Sequence, residues 1–293
     1  MQRRRYGNTD MLVSILGFGA SEIGYRKVDA TTVVGILGLA LDHGVNLVDT
    51  AECYHASEEL IGQALKGRRH QVYLFTKCGH GSLAESPDWS VRTLEATINR
   101  SLQRLRTDYV DVIHLHSCSE KILRQGEVVD TLLRAKREGK TRYVGYSGDS
   151  RDAQYALSLG VFDSLETSIN VADQEAITLT LPEAQSKGVG VVAKRPIANV
   201  AWRHSKRPED EYEVDYWARL QKLAYEPALS VDVALRFTWS VSGVASAIVG
   251  TSSRESMLKN IGYAEWPRLS DEHYAAIRER WREISTPMWT GLE

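Results

Sequence analysis

"GVNLVDTAECYHASEELIGQAL", residues 44–65, decides how this chain folds. A short apolar run, Val45-Asn46-Leu47-Val48, ends on Asp49; Glu52, Cys53, Tyr54 and His55 follow, and from Ser57, read as a helix cap, the spacing becomes helical. A strand apolar along its whole length is covered on both faces. When a helix follows it, the next strand returns parallel to it through a right-handed crossover.

The same unit repeats on either side. Short β-branched runs recur at 15–19, 45–49, 72–77, 110–116, 143–147, 165–170, 189–193 and 247–250, eight in all. Between them lie helical patterns such as Thr32-Val33-Ile36-Leu37-Leu39-Ala40 and Val91-Leu94-Ile98-Leu102-Leu105. With no Pro-, Gly- or Ser-rich linker, this alternation predicts a (β/α)8 TIM barrel occupying residues 1–293 as a single domain. A doubly wound open sheet is the alternative. It is disfavoured because no G-x-G-x-x-G follows the first strand and because polar residues gather after many strands instead of at one switch point. "RRRYGNTDMLVSI" (3–15) reads as an N-terminal hairpin turning at Gly7-Asn8-Thr9-Asp10 under the barrel. The polar interval from Pro196 to Val231 reads as an active-site loop followed by a surface helix.

The net charge of −2 gives no basic footprint for nucleic acid, and no apolar stretch approaches the roughly 20 residues of a membrane span. The three cysteines do not make a disulfide framework and suit a reducing compartment, so the expectation is a cytoplasmic monomer acting on a small molecule. Cys78 reads as a small buried residue before it reads as a redox-sensitive thiol.

In a barrel the site lies at the C-terminal ends of the strands. Asp49, Lys77 and His116 end three successive runs, and Tyr54 lies five residues beyond Asp49, so the four can converge. Together they suit proton donation to a carbonyl oxygen: an ammonium lowers the pKa of a phenol, and a carboxylate holds the ammonium in place. Singly, Asp49 and Lys77 could be a structural ion pair, and His116 and Tyr54 ordinary polar packing. A metal-dependent hydrolase is the rival reading. His114 and His116 face one side of their strand, with Cys53, His55, Cys78 and Cys118 nearby, and zinc suits such ligands. Trp89, Trp202 and Trp289, with Glu52, are candidates to line a substrate pocket.

Beyond residues 44–65, "LGFGASEIG" (16–24), "LFTKCG" (74–79), "TDYVDVIHLHS" (107–117), "GKTRYVGYS" (139–147), "GVGVVAKRP" (188–196) and "AIVGTSSRESMLKN" (247–260) occur in an order that resembles the aldo-keto reductases over nearly the whole chain. The resemblance implies the catalytic set Asp49, Tyr54, Lys77 and His116, with His116 preferred to His114 by its spacing from Asp108–Asp111. It also implies NADP(H), or else NAD(H), contacted by Gly19, Ala20, Ser147, Gly148, Glu166, Asn170, Lys194, Arg195, Ile197, Gly250, Thr251, Ser252, Arg254 and Asn260. A non-catalytic nicotinamide-binding regulatory protein is the other reading it allows. Four positions depart from the family's usual residues: Gly148 stands for Asn, Glu166 for Gln, Lys194 for an aromatic and Arg195 for Ser. Because Glu166 and Lys194 fall on neighbouring strands, they are expected to pair, leaving Glu166 to accept from a carboxamide. The usual phosphate-clamping Lys and Arg are replaced by Gly250 and Ser256, so Arg254 is expected to hold a 2′-phosphate.

Overall fold

The computed structural model describes residues 1–80 and 88–292. Strands β1 (Arg3–Arg5) and β2 (Leu12–Ser14) form the antiparallel hairpin, closed by the Tyr6 amide donating to the Met11 carbonyl. Eight parallel strands follow: β3 (Leu16–Gly19), β4 (Leu47–Asp49), β5 (Tyr73–Cys78), β6 (Val110–His116), β7 (Thr141–Ser147), β8 (Ser164–Ser168), β9 (Gly190–Lys194) and β10 (Val244–Gly250). Each lies beside its successor, and β10 returns to β3 to close the barrel. The expected architecture is the one observed.

The apolar stripes read from the sequence are the buried faces. The helix Ala30–Asp42 turns Val33, Ile36, Leu37 and Ala40 inward and is capped by the Asp29 side chain, and Val91–Leu105 is capped likewise by Ser90. The helix Ser57–Ala64 differs from expectation. Its N-cap is Ala56, because the Ser57 hydroxyl is used between Thr50 and the Ala20 carbonyl. After β9 comes a short helical turn, Ala198–Arg203, and then the helix Glu211–Leu223. That helix is more than a surface element: it buries Tyr216, Leu220 and Leu223 against the barrel. Among the described residues no helix is long and apolar enough to cross a membrane.

Alternate residues of a strand point to the barrel axis, and their chemistry changes with height. The floor is apolar, with Leu47, Phe75, Val112, Val192 and Ile248 packed on Tyr6 of the hairpin. Gly190 makes room for this plug, since a Cβ there would lie 2.5 Å from the Tyr6 ring. Two residues further along the same strands stand Asp49, Lys77, His114 and Lys194, with Glu166 on β8. The charged layer therefore rests on a sealed apolar one.

Candidate active site

Lys77 is the centre of the upper layer. Its side chain is fully buried, and Nζ donates to Asp49 Oδ2 at 2.5 Å and to the Thr50 carbonyl at 3.0 Å. Glu166 Oε2 lies 3.3 Å away, an ion pair not aligned as a hydrogen bond, while Oε1 accepts from the Ser147 hydroxyl at 3.3 Å. Burial pulls the Lys77 ammonium toward neutrality, but attraction to Asp49 and Glu166 outweighs it, and the group is held charged well above the ordinary lysine range.

Tyr54 sits in the turn between β4 and its helix. The centre of its ring is 5.4 Å from Lys77 Nζ, and it meets His116 edge to face at 5.7 Å. Lys77 pulls the phenol pKa down as the sequence reading expects. Burial pulls harder the other way, with Asp49 and Glu166 adding to it, so the net direction is upward. The lone phenol holds its proton. Burial first, then Lys77, pushes His116 well below the usual histidine range, so it is a neutral ring; its Nδ1 lies 3.4 Å from Cys53 Sγ. Burial also pushes the Cys53 thiol up to about 11, which keeps it protonated. The wall continues through Tyr25, His55, His80 and Trp89, linked by ring contacts of 4.9 to 5.9 Å. The four residues expected to converge do so.

The far side of the mouth differs from expectation. Lys194 pairs with Asp149 at 3.0 Å and not with Glu166, because Glu166 is turned to Lys77. Asp149, nearly sealed from solvent, also accepts from Thr167, the Ser168 amide and the Ser168 hydroxyl. A side chain at 148 would meet the Tyr146 hydroxyl, which donates to the Cys118 carbonyl, at 2.7 Å; that is the local reason for glycine. Asn170 donates to the Arg195 carbonyl and accepts from the Ala172 amide, so it braces a loop. Glu52 does not face the pocket. It is buried against Arg100 at 2.5 Å and Arg104 at 3.2 Å. Trp202 is half-buried against the core, and Trp289 is buried with Arg219 over its ring.

The residues after Trp289 are pinned down in turn. Arg219 donates to the Thr290 carbonyl, the Gly291 amide to Glu175, the Leu292 amide to Asp173, and Arg195 to the Leu292 carbonyl. Asp149, Asp173 and Arg219 are absent from the sequence-based set. Asp149, two residues past the end of β7, carried the same strand-end signal as Asp49. Asp173 and Arg219 carried none, since Asp173 lies in the loop after β8 and Arg219 on the helix Glu211–Leu223, neither of them at a strand end.

A nicotinamide dinucleotide suits the donors present. The helix Arg254–Tyr263 starts behind Thr251, Ser252 and the capping Ser253, and a hollow of about 510 Å³ lined by Arg254, Glu255, Leu258 and Lys259 adjoins it. Gly19 and Gly250 face each other across β3 and β10, and a Cβ on Gly250 would meet the Gly19 carbonyl at 3.2 Å. Ala20 is buried beside Gly19; Thr251 and Asn260 are buried, and Ile197 is half-buried at the end of β9. Ser252 donates to Glu22 at 2.9 Å.

A metal does not suit the deep cluster. Asp49, His114 and Glu166 bring possible ligand atoms within 4.8 Å of one another, without His116, but the Lys77 ammonium already supplies the positive charge among them. His114 Nε2 is engaged with the Ser164 hydroxyl at 2.7 Å.

The model of the aldo/keto reductase family matches residues 15–282. The L-galactose dehydrogenase of Arabidopsis thaliana is 30% identical over 280 residues, covering 89% of this chain and 87% of that protein. The NADH-specific methylglyoxal reductase of Escherichia coli (strain K12) is 30% identical over 220 residues, 67% of this chain and 68% of that one. Among solved structures, an aldo-keto reductase from Bacillus halodurans in its holo form superposes with a TM-score of 0.81 at 28% identity, covering 96% of both chains.

Proposed function

Because this chain belongs to the aldo/keto reductase family, we propose that it is an NAD(P)H-dependent carbonyl reductase, a single-domain cytoplasmic monomer in which Tyr54 gives the proton. The observation that carries the reading is the Lys77 ammonium, sealed, paired with Asp49 at 2.5 Å and facing the Tyr54 ring. Bound cofactor supplies the hydride. The residues do the rest. Neutral His116 donates its ring N–H to the carbonyl oxygen and orients it toward Tyr54. As negative charge develops on that oxygen, the Tyr54 O–H bond breaks and the proton passes to it. The phenolate charge left behind faces a fixed ammonium, and so a phenol that holds its proton when alone can release it at this one step. Asp49 keeps the ammonium in place.

NADP(H) is the favoured cofactor, with Arg254 as the contact to its 2′-phosphate and NAD(H) as the alternative. The methylglyoxal reductase among its relatives makes small 2-oxoaldehydes the first substrates to try, and the L-galactose dehydrogenase suggests sugars in the oxidative direction. The test is oxidation of NADPH and of NADH with methylglyoxal and 4-nitrobenzaldehyde, and reduction of NADP+ and NAD+ with L-galactose, by the natural chain and Tyr54→Phe. Turnover lost in the variant while NADPH still quenches tryptophan fluorescence supports the reading. Equal turnover in both overturns Tyr54 as the acid, and binding without turnover in the natural chain favours the regulatory alternative.

A further inference from the structure

Glu166 stands where the family resemblance leads one to expect a glutamine, and its position changes the charge of the buried cluster. Two carboxyl groups, Asp49 on β4 and Glu166 on β8, meet each other and one ammonium in a place where all three side chains are at most 2% exposed. With both carboxyls ionised, the cluster would carry an uncompensated negative charge, which is costly away from water. Among the described residues no neighbour pairs with this excess charge: Lys194, whose charge also acts on Glu166, is paired with Asp149, His114 is pushed down to about 4 by burial, and His116 is also neutral.

The hydrogen bonds point the same way. Asp49 Oδ1 and Glu166 Oε2 are both buried without a donor. Carboxylate oxygens cannot satisfy each other unless one is protonated, and a single proton between them satisfies both. Burial, followed by the Glu166 charge, drives the Asp49 carboxyl up, whereas at Glu166 burial is outweighed, chiefly by the Lys77 charge, and that carboxyl is held down, so the proton resides on Asp49 and is given to Glu166.

We propose that Glu166 is a second counter-ion of Lys77, and that it and Asp49 hold one proton between them, so that the sealed cluster carries a single negative and a single positive charge. Glu166 is thus a positioning residue: either carboxyl can keep the ammonium charged beneath Tyr54. This rests on the reading of Tyr54 as the acid.

The prediction is redundancy. Asp49→Asn and Glu166→Gln each leave one carboxylate on Lys77 and should each lower turnover of 4-nitrobenzaldehyde with NADPH by about tenfold or less, while the double variant should lose far more than the product of the two, by about a hundredfold in the coupling. Infrared difference spectra at neutral pH, the natural protein minus each single variant, should show a protonated carboxyl C=O band, since the remaining carboxyl of the pair then ionises, while the partly protonated Asp173 is common to all three proteins and cancels. Asp49→Asn alone as inactive as the double variant overturns the proposal, as does Glu166→Gln losing NADPH binding, which would make Glu166 a carboxamide contact. The infrared difference decides the matter even if the double variant does not fold, because its absence for both single variants rules out the shared proton. Failure of the underlying reading shows separately, as unchanged turnover in Tyr54→Phe.

Discussion

The two sides of the barrel mouth solve the same problem differently. Between β4 and β6 the charges belong to neighbouring strands: Asp49, Lys77 and His116 are placed by the pleat, and their ion pair is sealed by the layer below. Across the mouth, at the ends of β7 to β9, Asp149, Lys194, Arg195 and Asp173 are held by one another and by the last residues of the chain. On the proposed reading the first side develops charge at Tyr54, whereas the second spends its charge on architecture.

The difference can be broken at either side. Tyr54→Phe tests the first: carbonyl reduction should fall about a hundred- to ten-thousand-fold with unfolding by urea unchanged. A comparable loss of stability would mean that Tyr54 is structural. On the second side Lys194→Met removes the cation paired with buried Asp149, leaving the Arg195 charge as partial compensation, and stability measured in urea should drop by about 3 kcal/mol. Arg219→Met frees the Thr290 carbonyl and should cost about 2 kcal/mol, with amide exchange at Gly291 and Leu292 accelerating more than elsewhere.

Asp173 sharpens the contrast through pH. Burial, with the Asp149 charge adding to it, pushes its carboxyl from 3.8 to about 7. A raised carboxyl pKa means that the folded chain binds the proton more tightly than the unfolded one. The stability this contributes is complete below the unfolded value and is lost as pH rises through the folded one. Urea midpoints across that window should decline in the natural chain and decline less in Asp173→Asn; parallel curves would remove Asp173 from the account. The smallest effect expected is on Arg254→Leu, which should weaken NADPH binding about tenfold and leave NADH unchanged, read by fluorescence titration.

Much of this was legible in the sequence, because the signals are local. Apolar runs separated by helical spacing fix a parallel barrel, and strand-end position alone brings Asp49, Lys77 and His116 together. Tyr54 follows from its distance beyond Asp49. Glu52 was misread because the same stretch turns over one residue at a time: it faces Arg100 and Arg104 on the helix Val91–Leu105, while Tyr54, two residues on, faces His116.

What the sequence by itself determined is the barrel and the order of chemistry around its rim, since both depend on periods of two and 3.6 residues that each segment carries alone. What only the tertiary structure decided is the pairing of the buried charges. Glu166 could have met Lys194 or Lys77, and Asp149 could have faced water. Those choices depend on barrel stagger, on the room left by Gly148 and on a terminal segment arriving from more than a hundred residues away. An ion pair in a sealed interior is set by the sum of every charge that reaches it, and no local pattern encodes that sum.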